Sequence, residues 1–171
     1  MQESVSPARV ALKWGVIMGV AYMIYSTILY LTGQFANAAL GWLSFLISIV
    51  FLYLAMRDFR EQNSGFMSYG EGVSVGTLTS VVAGLISATY GLVYTSFIDP
   101  TIPEQMAEKM QEQYEAQGLS DEQIEQTMEM MSWVQSPGMT FLFGVLGAAF
   151  GGLIISLIIA AFMRRNKPVF D

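Results

Sequence analysis

The longest uncharged stretch of the sequence limits most strongly what the chain can fold into. It runs from Trp14 to Met56 without one Asp, Glu, Lys or Arg in 43 positions. A membrane-spanning helix needs about 20 apolar residues, so the stretch is too long for one span. It suits two spans joined by a tight turn near Gly33 and Asn37. Only 13% of all residues are charged, against roughly 25% in an average soluble domain, which supports an integral membrane protein.

Two further uncharged stretches complete the set of predicted spans. Asp99 and Pro100 follow the first of them, and Arg164 follows the second. Proline disfavours helix in the residue before it, and charges mark the edge of the apolar layer. The charged residues Arg57 and Asp58 should end the second span. The sequence therefore predicts an all-α fold, a four-helix membrane bundle forming one transmembrane domain, with spans at about 11–32, 39–56, 72–98 and 139–163.

The polar segment 99–138, between the third and fourth spans, has the pattern of two short helices. Pro103 suits a first helical turn, Gly118 suits a C-terminal cap, and Ser120 with Gln123 forms a capping box. Each half has one apolar face at helical spacing, formed by Met106, Met110 and Tyr114 and by Ile124, Met128 and Met131. We predict an extramembrane helical hairpin whose other faces are acidic, with Glu104, Glu108, Glu112, Glu115, Asp121, Glu122, Glu125 and Glu129.

Lys and Arg residues set the predicted orientation. Seven of the eight lie before the first span, after the second and after the fourth, whereas Lys109 lies in the hairpin segment. Basic flanks are retained in the cytoplasm, so both termini should be cytoplasmic and 99–138 should lie on the other side. Ala36-Asn37-Ala38 also fits a signal-peptide cleavage site. The apolar run 14–32 exceeds the usual 7 to 15 residues of a signal peptide, which favours an uncleaved anchor.

The residue types exclude much of the usual site chemistry. The sequence has no Cys and no His, so it lacks thiolate nucleophiles, imidazole bases and the common zinc and haem ligands. The hairpin methionines permit a soft Cu(I) site, but their helical spacing favours apolar packing. A formal charge of −6 with eight basic residues argues against nucleic acid. We expect no metal, no cofactor and no enzymatic activity; Glu71 and Asp99, at the two ends of the third span, are the possible functional carboxylates.

Small residues recur at every fourth position of the predicted helices. Such rows let helix backbones approach closely in a membrane, where the hydrophobic effect does not drive helix association. Because each row winds around its helix, we expect one partner helix to cover only part of it. The favoured interpretation is packing of the rows within the chain; the alternative is that part of a row meets another subunit or a lipid. The rows are Gly15 and Gly19; Gly72, Gly76, Ser80, Gly84 and Ala88; and Gly144, Ala148, Gly152, Ser156 and Ala160.

Four short motifs, in this order and spacing, resemble a known bacterial family. They are S-Y-G-E-G-V-S-V-G at 68–76, F-I-D-P at 97–100, G-L-S-D-E-Q-I-E at 118–125 and G-L-I-I-S-L-I at 152–158. The chain resembles the small four-span membrane proteins of the domain of unknown function 4199 family over nearly its whole length. The resemblance implies a bacterial inner-membrane protein, with 99–138 in the periplasm. It implies no activity and no catalytic residue.

These observations favour a non-enzymatic accessory or scaffold protein. Its expected partners are the lipid bilayer and other membrane protein subunits or a second copy, contacted through the acidic hairpin and the small-residue faces. The alternative is a small oligomeric transporter or channel. Its polar path would be lined by Thr77, Thr79, Ser80, Ser87 and Thr89.

Overall fold

A computed structural model describes residues 5–167; the chain ends 1–4 and 168–171, for which we predict a cytoplasmic location, lie outside the described residues. The described chain is all-α, as predicted, and four of its helices are long and apolar enough to cross a membrane. In chain order, the helices of the described residues are α1 Pro7–Leu31, α2 Ala38–Gln62, α3 Tyr69–Val93 with a π-helical turn Tyr94–Ile98, α4 Ile102–Ala116, α5 Asp121–Val134 and α6 Pro137–Met163. The four long ones are α1, α2, α3 and α6.

The helix α2 does not end at the charged residues, contrary to the sequence prediction. It continues to Gln62 because Arg, Glu and Gln favour helix, and because Arg57 pairs with Glu61 one turn later, Nε to Oε1 at 2.7 Å. The chain then turns at Gly65, whose φ of +85° suits glycine. The other helices differ from the predicted spans by a few residues. The limits of the membrane itself stay predictions.

The helix pair predicted between the third and fourth spans is present as α4 and α5. Gly118 follows α4 with a φ of +81°. Ser120 then caps α5 in the predicted capping box: the Ser120 hydroxyl accepts from the Gln123 backbone N–H at 3.4 Å, and the Gln123 side chain accepts from the Ser120 N–H at 3.0 Å. Ile102 and Ile124 are the buried residues of this hairpin.

The third helix is the centre of the bundle, packed on α1 and α6 along its length. Close approach to α1 depends on two glycines of α1. A Cβ atom added at Gly15 would lie 2.5 Å from the Val82 Cβ, and one at Gly19 would lie 2.9 Å from the Ile86 Cβ. These distances leave no space for a side chain at either glycine, so the α1 backbone lies directly against the Val82 and Ile86 side chains of α3.

Burial divides the four long helices into two halves. The basic half comprises 7–19, 52–62, 69–84 and 152–163, and the hairpin half comprises 20–31, 38–51, 85–98 and 137–151. Every buried residue of α1, α2 and α6 lies in the basic half, and Tyr94 is the one exception on α3 and its π turn. The basic half therefore contains the core of the bundle, formed around Leu52, Met56, Phe59 and Val75.

Candidate functional site

The small-residue rows of α3 and α6 face each other. A Cβ added at Gly76 would lie 2.8 Å from the Ser156 Cβ, and one at Gly84 would lie 2.6 Å from the Ala148 Cβ. The two rows form five residue pairs between α3 and α6, and each pair contains one glycine. The two backbones therefore approach closely along the whole row. The pairs are Gly72 with Ala160, Gly76 with Ser156, Gly152 with Ser80, Gly84 with Ala148 and Gly144 with Ala88.

One helix thus meets the whole α3 row, contrary to our expectation that the row would need several partners. A row of residues four apart is inclined to its helix axis, so a partner helix that crosses at an angle can follow it. Met56 of α2 adds a contact at Gly76, where its Cε lies 2.7 Å from an added Cβ. The small-residue faces of α1, α3 and α6 therefore pack within the chain.

Two buried hydroxyl groups within this interface lack a hydrogen-bond partner among residues 5–167. They are the Oγ atoms of Ser80 and Ser156, whose residues are 2% and 0% exposed. Each hydroxyl lies against the glycine of the opposite helix, Gly152 or Gly76. An unpaired buried hydroxyl costs stability, so these positions are unusual for a packed core. Ser80 also lies at the edge of a cavity.

The cavity lies mostly in the hairpin half, reaches the upper edge of the basic half, and has a volume of about 730 Å³. Cavities of about 300 to 1,000 Å³ are typical of small-molecule sites. Tyr22 and Met18 of α1, Ser48 of α2 and Gly84 of α3 form parts of its wall. On the α6 side, Gly147 and Gly151 add no side chain to the wall, and an added Cβ at either position would meet nothing within 4 Å.

The cavity has a floor and a roof. Ser80, Gly152 and Ile155 form the floor, where the basic half begins. The hairpin forms the roof through Pro103, Met106, Met110, Val134 and Gln135. The floor and the roof close the two ends of the cavity along the bundle axis.

The side of the cavity is open between α2 and α6. In the hairpin half α3 packs on α6 at Ala88 and Gly144, and α1 packs on α3 through Tyr30 and Tyr94, whose ring centroids are 4.7 Å apart. Tyr22 and Tyr25 fasten α2 to α1 by donating to backbone carbonyl groups of α2 at 3.1 and 2.6 Å. The remaining neighbouring pair around the cavity is α2 and α6. Phe45 and Phe143 line the cavity beside the gap between these two helices.

The two candidate carboxylates lie away from this cavity and have structural partners. Glu71 accepts hydrogen bonds from the Ser68 backbone N–H at 2.7 Å and from its hydroxyl at 2.8 Å, completing the cap of α3. Asp99 accepts from the backbone N–H and hydroxyl of Thr101, which fixes the turn before α4. A functional role for either carboxylate stays a prediction.

The polar path proposed from sequence is not assembled as one surface. Ser80 and Ser87 line the cavity. Thr79 is buried and its hydroxyl donates to the Val75 carbonyl at 2.7 Å. Thr77 and Thr89 are absent from the cavity wall. Sequence reasoning missed Tyr22, Ser44, Ser48, Gly147 and Gly151; the spacing of Ser44 and Ser48, four apart on one helix face, was the available signal.

The acidic residues of the hairpin are exposed and do not line the cavity. All eight are exposed, and neither ion pair found in residues 5–167 involves them. Lys109, the hairpin's one base, turns inward: its Nζ donates to the Gly33 carbonyl at 2.5 Å and lies 4.5 Å from the centre of the Phe35 ring. Within residues 5–167 no three Asp or Glu side chains gather into a group able to hold a metal ion.

Comparison with known proteins supports the resemblance seen in the sequence. No curated protein and no solved structure matches the chain. The family model described as a protein of unknown function, DUF4199, matches residues 13–165, which is most of the chain. The protein therefore belongs to the DUF4199 family.

Proposed function

We propose that this protein is a non-enzymatic accessory subunit that contacts another membrane protein through its acidic hairpin. The observation that supports this role most directly is the exposure of eight carboxylates on α4 and α5, with Lys109 engaged at Gly33 and Phe35. The hairpin therefore presents a uniformly negative surface. Such a surface favours a partner with a basic extramembrane segment, through electrostatic attraction that speeds association and limits partner choice.

The sequence provides little for catalysis, which supports an accessory role. It has no Cys and no His, and apart from Lys13 at the start of the first span, the four predicted spans contain no Asp, Glu, Lys or Arg. Intramembrane ionisable residues are the usual feature of proton relays and ion-coupled transport. Glu71 and Asp99 are engaged in a helix cap and a turn, so their oxygens stabilise the fold.

The small-residue rows pack within the chain, so fewer surfaces are free to contact a partner. Our sequence interpretation assigned partner contacts both to the hairpin and to these rows. Since α1, α3 and α6 use their rows against each other, the hairpin and the lipid-facing surfaces are what the accessory role can use. The expected partner is another membrane protein subunit or a second copy of the chain, within a lipid bilayer.

We further propose that the basic half faces the cytoplasm of a bacterium and that 99–138 lies in the periplasm. Seven of the eight Lys and Arg residues flank the basic half of the bundle, which favours the cytoplasm for that end. The segments after α2 and after α6 also meet there, because Met67 and Arg165 exchange two backbone hydrogen bonds, at 2.9 and 2.7 Å. Cysteines introduced at Ser64 and Asn166 should resist an impermeant thiol reagent applied from the periplasm, whereas one at Gln117 should react. The reverse labelling would refute this orientation.

The partner role is tested by mass in a mild detergent. The wild-type chain should elute as a complex above its own 18.9 kDa plus bound detergent. Replacing Glu108, Glu112 and Glu115 together by Gln should release the partner because it removes three of the four carboxylates of α4. Glu61→Gln, an exposed carboxylate on the basic half, is the control and should leave the complex intact. A wild-type chain that is monomeric and alone would refute the proposal.

A small oligomeric transporter is the second candidate, favoured by the cavity with Ser80 and Ser87 in its wall. Transport would require the floor at Ser80 and Gly152 to open, since the two helices are in contact there. Solute flux in proteoliposomes that is lost in Ser87→Val, with folding and assembly unchanged, would favour the transporter over the accessory subunit.

A further inference from the structure

We propose that the cavity of the hairpin half binds one phospholipid with an ammonium-bearing headgroup, such as phosphatidylethanolamine. One acyl chain enters from the bilayer between α2 and α6 and lies against α3. The acyl-chain site lies inside the cavity, whereas the partner surface is on the acidic faces of the hairpin, whose charge also acts on the lipid headgroup; the lipid site does not depend on the accessory role.

The chemistry of the wall favours an acyl chain over water. A buried water needs two to four polar partners. Several wall hydroxyls already have partners within their own helices or on the next helix: Ser48 donates to the Ser44 carbonyl at 3.1 Å, Thr95 to the Gly91 carbonyl at 2.9 Å, and Tyr22 to the Ser44 carbonyl at 3.1 Å. Apart from a few hydroxyls such as those of Ser80 and Ser87, the remaining wall is apolar, and a hydrocarbon chain can contact that apolar surface without burying a further polar group.

The height of the cavity fits one leaflet of a bilayer. From Gly152 at the floor to Thr140 near the roof, twelve helical residues rise about 18 Å. Half of a typical hydrocarbon core is about 15 Å. A transmembrane helix of a partner would need the full core, but Met56 and Ser156 close the bundle around Gly76 below the floor. The space therefore suits a lipid chain better than a crossing helix.

The open side of the cavity gives a path from the membrane. Phe45 of α2 and Phe143 of α6 line the cavity and are 45% and 46% exposed. Both edges of the gap are thus apolar at a depth where the bundle surface meets acyl chains. A chain can move sideways from the bilayer into the cavity without crossing a polar barrier.

Charge at the roof selects the headgroup. The two roof helices carry eight exposed carboxylates, which disfavour an anionic headgroup and favour one with an outer ammonium group. Gln135 lies at the roof with its amide against the Met110 sulfur at 3.8 Å, a weak acceptor. The Gln135 amide is therefore available to donate to the lipid phosphate.

Native mass spectrometry of the full-length, delipidated chain in detergent tests the proposal. Phosphatidylethanolamine and phosphatidylglycerol with identical acyl chains are titrated separately. The wild-type chain should bind one phosphatidylethanolamine, with phosphatidylglycerol at least tenfold weaker. Gly147→Phe should weaken phosphatidylethanolamine binding at least tenfold because its ring fills space that is open in the wall. Gly41→Phe is the matched control: Gly41 also has open space, but it lies outside the cavity wall, so this variant should bind as the wild type does.

Thermal unfolding shows whether each variant is folded. Phosphatidylethanolamine should raise the Tm of the wild type and of Gly41→Phe, but not that of a folded Gly147→Phe. If Gly147→Phe does not fold, Gly151→Leu fills the same wall with a smaller side chain and decides the question. Three results overturn the proposal: equal lipid binding by cavity and control variants, equal binding of phosphatidylglycerol by the wild type, or a wild-type dimer that Gly147→Phe disrupts while lipid binding is unchanged.

Discussion

The basic half and the hairpin half are built from the same four helices and similar apolar residues, yet they pack differently. In the basic half, Leu52, Met56 and Phe59 of α2 are fully buried. In the hairpin half, the same helix has no buried residue between Ala38 and Phe51, and a cavity of about 730 Å³ separates it from α6. Apolar composition therefore does not determine packing in this protein.

Glycines have opposite effects in the two halves. Gly76 and Gly152 each face a serine of the opposite helix, so they allow α3 and α6 to close. Gly147 and Gly151 lie on a neighbouring face of α6 and have open space beside them. In a membrane no hydrophobic effect forces that space to close, so packing depends on side-chain shape at each position.

The largest expected effect comes from Gly76→Leu in the basic half. Its Cβ would overlap the side chains of Ser156 and Met56, with 2.7 Å to the Met56 Cε. We expect a loss of about 3 kcal/mol in unfolding free energy, the upper part of the range for overpacked sites. Thermal or denaturant unfolding in detergent measures the loss.

The matched variant for that comparison is Gly147→Leu in the hairpin half. The same substitution there meets nothing within 4 Å and removes the entropic cost of a helical glycine. Its unfolding free energy should be equal to that of the wild type or higher. Similar losses in both variants would mean that the two halves are packed alike.

The next effect concerns the hairpin roof. Met110 is half-buried and lines the cavity, whereas Met130 is 77% exposed on α5. Met110→Asp should cost about 2 kcal/mol because it places a charge in an apolar contact. Limited proteolysis should then cut 99–138 faster than in the wild type. Met130→Asp should leave the cleavage rate unchanged, and equal protection in both variants would show that the hairpin is not a packed unit.

The all-α membrane fold and the hairpin helices were predictable from the sequence. Uncharged runs define apolar helices, and Ser120 with Gln123 defines a cap through contacts only three residues apart. The register of α3 against α6 was not predictable. The row at Gly72, Gly76 and Gly84 reveals a close-packing face, but nothing local to that row specifies which helix meets it.

The cavity was even less accessible to sequence reasoning. Its shape depends on how the helices meet over long range, through contacts such as that of Tyr22 on α1 with Ser48 on α2. Serines four apart on α2 are ambiguous, since Ser48 also bonds the carbonyl of Ser44 within its own helix. Glu71 was identifiable as a candidate site, although S-Y-G-E at 68–71 is itself a capping-box pattern that explains it.

A smaller effect is expected at the contact that holds α2 beside α1 in the hairpin half. The Tyr22 hydroxyl donates to the Ser44 carbonyl at 3.1 Å and also pairs with the Ser48 hydroxyl. Tyr22→Phe should cost about 1 kcal/mol, as for one intramolecular hydrogen bond. Spin labels at Leu31 and Gly41 should report a broader distance distribution in Tyr22→Phe. Tyr53→Phe, an exposed tyrosine of α2, is the control and should change neither measurement.

The smallest expected effect tests how the hairpin is fastened to the turn between α1 and α2. Lys109 contacts the Gly33 carbonyl and the Phe35 ring. Lys109→Gln keeps a hydrogen-bond donor but removes the cation from the ring, a loss of about 0.5 kcal/mol. That energy corresponds to about twofold faster hydrogen exchange at the amides of 33–37. Lys109→Arg retains the cation and should exchange at the wild-type rate. If Gln and Arg variants exchange alike, the contact of the cation with the Phe35 ring does not stabilise this turn, and the hydrogen bond to the Gly33 carbonyl is the part of the Lys109 contact that matters.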